Sequence, residues 1–178
     1  MRLSRSAAAV LVLAGIATAQ TAVLIPSKDN SMFSEAGFLS NGAGSGLFSG
    51  VTLQGNFRRA LMAFDVAGTV PAGATIQSVQ LQMEVTMANF ASTTIGLHRV
   101  TQDWGEAGSI APGGQGAGAV GLTGDASWTH RFLPATLWST PGGDFAPAAS
   151  GSLAGVAFNG TYVWTSTAAM VPDVQGWL

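Results

Sequence analysis

RRALMAFDVAGTVPAGATIQSVQLQMEVTM, residues 58–87, decides how this chain folds. Its second half alternates: Val79, Leu81, Met83, Val85 and Met87 are apolar, and Ser78, Gln80, Gln82, Glu84 and Thr86 between them are polar. Strand side chains point alternately to the two faces, so this period of two predicts a half-buried strand. Wound as a helix, the same residues would scatter apolar groups around the whole circumference. Ala60, Met62, Phe64 and Val66 predict a second strand with one apolar face. Between them, Val70-Pro71-Ala72-Gly73 reads as a type I turn, with proline presetting φ at i+1 and glycine suited to i+3. Two antiparallel strands with one apolar face each need a facing layer.

Working outward, residues 21–27 (TAVLIPS) read as a first strand that ends near Pro26. Residues 28–50 read as a Gly- and Ser-rich connection with a turn at Asn41-Gly42. Residues 94–101 (TIGLHRVT) predict another strand, and residues 105–124 are almost pure loop. Extended, aromatic-rich sequence resumes over residues 127–138 and turns at Thr140-Pro141-Gly142-Gly143. Residues 156–164 read as a tight hairpin about Asn159-Gly160, the pair that suits a type I′ turn because both central residues need positive φ. At the end the period changes. Met170, Val171, Val174, Trp177 and Leu178 share one helical face, with Pro172 tolerated in the first turn. The expected fold is all-β, an antiparallel β-sandwich or jelly roll with a short C-terminal helix.

A chain of 178 residues is long enough for one domain with a proper core. Charged residues make up only 9%, against about 25% in an ordinary soluble domain, so Ser, Thr, Gln and Asn must supply most of the polar surface. There is no cysteine, which excludes disulfides and thiolate metal sites. Met1-Arg2-Leu3-Ser4-Arg5 is a basic leader, residues 7–17 are apolar, and Ala17-Thr18-Ala19 supplies small residues for cleavage before Gln20. Residues 1–19 therefore read as a signal peptide and residues 20–178 as the mature domain, secreted to the exterior or the cell surface. The apolar run is shorter than the roughly 20 residues that span a bilayer, so no membrane span is expected after cleavage. Loss of Arg2 and Arg5 leaves five basic and nine acidic residues, a formal charge of −4. That balance argues against a nucleic-acid partner.

No G-x-S-x-G, H-E-x-x-H or Walker pattern occurs. Gly116-Ala-Gly118-Ala-Val-Gly121 matches G-x-G-x-x-G in letters but lacks a strand before it and a helix after it, so it reads as a flexible loop. Gly118 also stands where a calcium nonapeptide would carry its aspartate. His98 and His130 are each followed by arginine. With no nucleophile or acid at a telling spacing, they read as ordinary strand residues. Asp103 and Glu106 flank Trp104 too closely for a glycosidase pair across a cleft. No catalytic residue and no cofactor is expected. Asp29, Asp103, Glu106, Asp125 and Asp144, all in or beside loops, are the candidate ligands for a structural calcium. Trp164 and Trp177 read as core, whereas Trp104, Trp128 and Trp138 border loops and are candidates for stacking on sugar rings. Arg58, Arg59, Arg99 and Arg131, brought onto one face, would form a cationic patch suited to uronic-acid polymers.

Several segments, in order, resemble DNRLRE-type domains, secreted bacterial β-sandwich modules related to alginate-binding carbohydrate-binding modules. They are Arg59-Ala-Leu-Met-Ala-Phe-Asp-Val66, Val70-Pro-Ala-Gly-Ala-Thr-Ile76 and Val79-Gln-Leu81. Leu97-His-Arg-Val-Thr-Gln-Asp-Trp-Gly-Glu106, Gly124-Asp-Ala-Ser-Trp-Thr-His130, Pro141-Gly-Gly-Asp-Phe145 and Asp173-Val-Gln-Gly-Trp177 follow. The Phe-Asp and Val-x-x-Trp signatures are more distantly similar to the arm domain of TGF-β propeptides. Ala63 stands where the family's strand often carries arginine. Family members continue past the equivalent of Trp177, so the resemblance implies a missing C-terminal strand region and an apolar groove beside the last helix. It also implies a non-catalytic module for acidic polysaccharide, with the four arginines meeting carboxylates and the three loop tryptophans meeting rings. The alternatives are a structural or adhesive surface domain with no sugar site and, third, a polysaccharide lyase-like enzyme.

Overall fold

The computed structural model describes residues 20–88 and 92–178. The expected signal peptide, residues 1–19, lies outside the described residues. The protein is rich in strands and poor in helix. In order it forms β1 (Lys28–Phe33), β2 (Leu39–Ser40), β3 (Gly50–Val51), β4 (Phe57–Ala63) and the single turn α1 (Val66–Thr69). Then come β5 (Leu81–Val85), β6 (Thr93–Leu97), β7 (Ala119–Val120), β8 (His130–Phe132), β9 (Thr136–Leu137), β10 (Gly151–Val156), β11 (Gly160–Trp164) and α2 (Met170–Gln175). β1-β4-β3 make one antiparallel sheet. β10-β6, β11-β5, β2-β7 and β8-β9 make four antiparallel pairs.

Alternation holds in β5, where Leu81, Met83 and Val85 are half-buried and Gln82 and Glu84 are exposed. It fails beyond: Met87 is exposed. The two strands of the deciding stretch are not partners. β4 pairs with β1 and β3, and β5 pairs with β11. β4 also stops earlier than its pattern predicts, because Asp65 accepts a hydrogen bond from Gly68 N (2.9 Å) and starts α1 at Val66. The following turn closes one residue late. Ala74 N donates to Pro71 O (3.1 Å), and Gly73 holds φ +82°, the left-handed i+2 position of a type II turn.

Three further expectations are corrected. Residues 21–26 form no strand, and the first strand is β1, inside the segment read as a connection. Asn159-Gly160 closes no two-stranded ladder, since β10 and β11 pair with different strands. A type I′ turn requires positive φ at Asn159, and Gln115 is the one non-glycine among the described residues with positive φ. Finally, residues 105–124 are pinned in place. Gln115 Oε1 accepts from Ser45 N (3.0 Å) and Asn41 Nδ2 (3.3 Å). Asp125 accepts from Ala107 N (2.7 Å) and Leu122 N (2.8 Å).

One face of β1 and β4 carries the core. Met32 and Leu61 pack with Trp104, Ala126 and Trp138, and Ala63, Val100 and Trp128 lie against them. A second apolar set forms around β6, β10 and α2. There Trp164 Nε1 donates to Ile95 O (3.0 Å), and buried Met170 lies on Gly151 so closely that a Cβ added there would be 3.0 Å from its sulphur. Among the described residues no helix is long and apolar enough to cross a membrane.

Candidate functional site

The period of two that makes β4 a strand also divides its arginines. Arg58 and Arg59 are successive, so they leave opposite faces of the sheet. On one face Arg58 pairs with Glu35, donates from Nε to Gly116 O (3.2 Å) and lies over the Phe33 ring (4.9 Å). On the other, Phe57 and Arg59 stand two apart and point the same way.

That second face carries a continuous strip. Phe57, 49% exposed, stacks on half-buried Trp128, with ring centroids 6.3 Å apart and planes 19° from parallel. The Arg59 guanidinium carbon lies 5.0 Å from the Trp128 centroid and 4.8 Å from that of Phe145. Phe145 in turn meets His98 edge-on at 5.2 Å. Cations over ring faces are attracted by the ring quadrupole, so ring and guanidinium hold each other in place. Burial pulls the Arg59 pKa down from the ordinary arginine value.

The turn at residues 140–143 clamps the strip. Gly142 N donates to Trp128 O (2.6 Å), and Gly142 O accepts from Arg59 Nη1 (2.6 Å). Gly142 has φ +94°, and a Cβ there would lie 2.5 Å from Arg59 Nη1 and 2.9 Å from the Trp128 ring. Only glycine fits both the dihedral and the space. Asp144 braces the turn from its own side, accepting from Ser139 N (2.9 Å) and Thr140 N (3.0 Å). The Ser139 bond chiefly holds its carboxyl below the usual carboxylate range. Val100 bridges to Phe145, and Ala146 N donates to Arg99 O (2.8 Å), which ties the turn to the end of β6.

The remaining candidates disperse. Trp104 and Trp138 are 3% and 4% exposed. As core rings they are not available to stack on a sugar, which corrects their expected role. Trp138 Nε1 donates to Ser127 O (2.9 Å), and Lys28 Nζ lies 4.6 Å from the Trp104 centroid. Trp177, read as core, is 43% exposed. Arg99 pairs with Asp173 on α2 (2.9 Å). That pair, Pro172, Gly176 and Trp177 line a shallow cavity of about 220 Å³. Arg131 donates to Asp103 O (3.2 Å). The four arginines therefore form no single cationic patch, because each is held by a different local partner.

The five carboxylates do not converge either. Asp103 pairs with Lys28 (2.7 Å), whose hydrogen bond is the main reason its carboxyl sits below the usual range. Asp125 and Asp144 spend their oxygens on backbone N–H groups. Asp29 N donates to Glu106 Oε2 (2.6 Å), and burial, with the charge of Glu106, pushes the Asp29 carboxyl up. Among the described residues no three His, Cys, Asp or Glu side chains form a metal-holding group, so the five candidate carboxylates are not brought together as one site. Each histidine bonds a neutral oxygen: His98 Nδ1 lies 2.9 Å from Ala146 O and His130 Nδ1 2.9 Å from Thr129 Oγ1.

Sequence reasoning named Arg59 and Trp128 and missed Phe57, Phe145 and the position of His98 on the strip. Phe57 was within reach, standing two residues before Arg59 on a strand. Phe145 was not, since its place depends on how the 140–143 turn docks. Comparison with protein-family models, curated proteins and solved structures finds no match for this protein.

Proposed function

We propose that this is a secreted, non-catalytic module of β-sandwich (jelly-roll) type that binds polysaccharide along the strip from Phe57 to His98. One observation carries the reading: the half-exposed Phe57 ring is stacked on Trp128 and backed by Arg59. Pyranose rings present flat C–H faces to aromatic rings, and pre-ordered rings bind at little entropic cost. Arg59, held between Trp128 and Phe145, fixes the platform and adds positive potential. That single charge favours an acidic over a neutral polymer.

The test is affinity electrophoresis of residues 20–178 through alginate or pectin, with a neutral glucan in the comparison lane. Retardation by the acidic polymer, weakened by salt and by either Phe57→Ala or Trp128→Ala, is the expected result. Phe57→Ala is the cleaner variant because its ring is half exposed. Retardation in no lane, with cooperative unfolding intact, would replace this reading with a structural or adhesive domain without a sugar site.

A further inference from the structure

Two Asn-Gly dipeptides occur among the described residues, and the fold treats them in opposite ways. Glycine after asparagine leaves the next backbone nitrogen unhindered by a Cβ, so the asparagine amide is open to attack. Asn41 is shielded. It is 1% exposed, its Nδ2 donates to Gly46 O (3.1 Å) and Gln115 Oε1 (3.3 Å), and its Oδ1 accepts from Ala111 N (2.9 Å). The attacking nitrogen there, Gly42 N, is itself bound to Ser109 Oγ (3.0 Å). Asn159 is exposed in the bend between β10 and β11, and its amide takes part in no hydrogen bond among the described residues. The backbone is held on both sides of it. Tyr162 Oη accepts from Phe158 N (3.2 Å) and donates to Phe158 O (3.0 Å), and Gly160 opens β11 opposite Val85.

We propose that Asn159 is a site of spontaneous deamidation and that Asn41 is protected from it. The Gly160 nitrogen loses its proton and bonds to Asn159 Cγ. The bond between Cγ and Nδ2 breaks, and ammonia leaves with the proton it needs. Water then opens the cyclic imide at either carbonyl, giving aspartate or isoaspartate. Nothing is oxidised or reduced, and water is the only co-reactant. The new carboxylate stands two positions before Thr161, whose hydroxyl donates to Glu84 (2.7 Å). Isoaspartate adds a methylene to the backbone immediately before the first rung of β11. Phe57, Arg59, Trp128, Phe145 and His98 lie on other segments, so the modification is read independently of polysaccharide binding.

The test is peptide mapping by mass spectrometry after timed incubation of the full-length protein in mildly alkaline buffer, with aspartyl and isoaspartyl products separated. Asn159 is expected to react about tenfold or more faster than Asn41, whose reaction must wait for local opening of buried hydrogen bonds. The rate should rise with pH, because the attacking nitrogen must lose its proton. In denaturant the two sites should react alike, which separates protection by the fold from the dipeptide itself. An intact Asn159, or equal rates at both sites in the folded protein, would overturn the proposal.

Discussion

Arg59 lies with its guanidinium 5.0 Å from the centre of the Trp128 ring and donates to Gly142 O beside it at 2.6 Å. A strand residue, a loop tryptophan and a turn glycine are thereby locked into one unit. The exposed end of that unit is Phe57.

Phe57→Ala removes the outer ring of the platform and little of the core. We expect about a tenfold loss of polysaccharide affinity, the size of one stacked-ring contact of about 1.4 kcal/mol. The melting temperature should stay close to that of the parent, and the gel shift and a thermal melt on the same sample check both.

Gly142→Ala should be far more damaging than Gly55→Ala. Both glycines have positive φ, +94° and +81°. A Cβ at Gly142 runs into Arg59 and Trp128, whereas nothing lies within 4 Å of one at Gly55. Strain alone costs about 1 kcal/mol at Gly55, and strain plus overlap about 2–4 kcal/mol at Gly142. Urea midpoints read the difference, and equal losses would mean the clamp contributes nothing.

Asn30→Ala is expected to unlatch the loops. Asn30 is fully buried. Its Oδ1 accepts from Ser40 Oγ (2.9 Å) and Asn41 N (3.1 Å), and its Nδ2 donates to Gly105 O and Ala126 O (3.3 Å each). Removing it strands several buried polar groups, at about 3 kcal/mol or more. Hydrogen exchange should rise first at Asn41 and at Ser31, whose N–H also uses Asn30 Oδ1 (2.7 Å).

Acid should act on three aspartates with opposite signs. Asp103 and Asp144 have lowered folded-state pKa values. Their contribution is complete above the ordinary Asp value of about 3.9 and is lost as pH falls through the lowered values. Asp29 is raised, so its carboxylate opposes folding at neutral pH, and that penalty lifts as pH falls through the raised value. Asp103→Asn should lower neutral-pH stability and Asp29→Asn should raise it, each by about half a kcal/mol or less after solvent screening. The Asp29 effect should fade at a higher pH than the Asp103 effect. Denaturant titrations across pH check both signs.

What the backbone decides locally was legible in the residues alone. The alternation of residues 79–85 specified a strand and its buried face. The adjacency of Arg58 and Arg59 implied opposite faces, and the Pro-Gly-Gly run at residues 141–143 marked a turn. Strand partners were settled only in three dimensions. β5 meets β11, almost eighty residues away, because ladder partners are chosen by long-range packing that leaves no period in the sequence. β1 (KDNSMF) was invisible for the same reason. It buries Asn30 and Ser31, and buried polar residues carry no apolar pattern when distant loops satisfy their hydrogen bonds. Trp104, Trp128 and Trp138 all border loops in the sequence. Two fill the core and one supports the surface strip, because a ring's exposure depends on what the fold places over it.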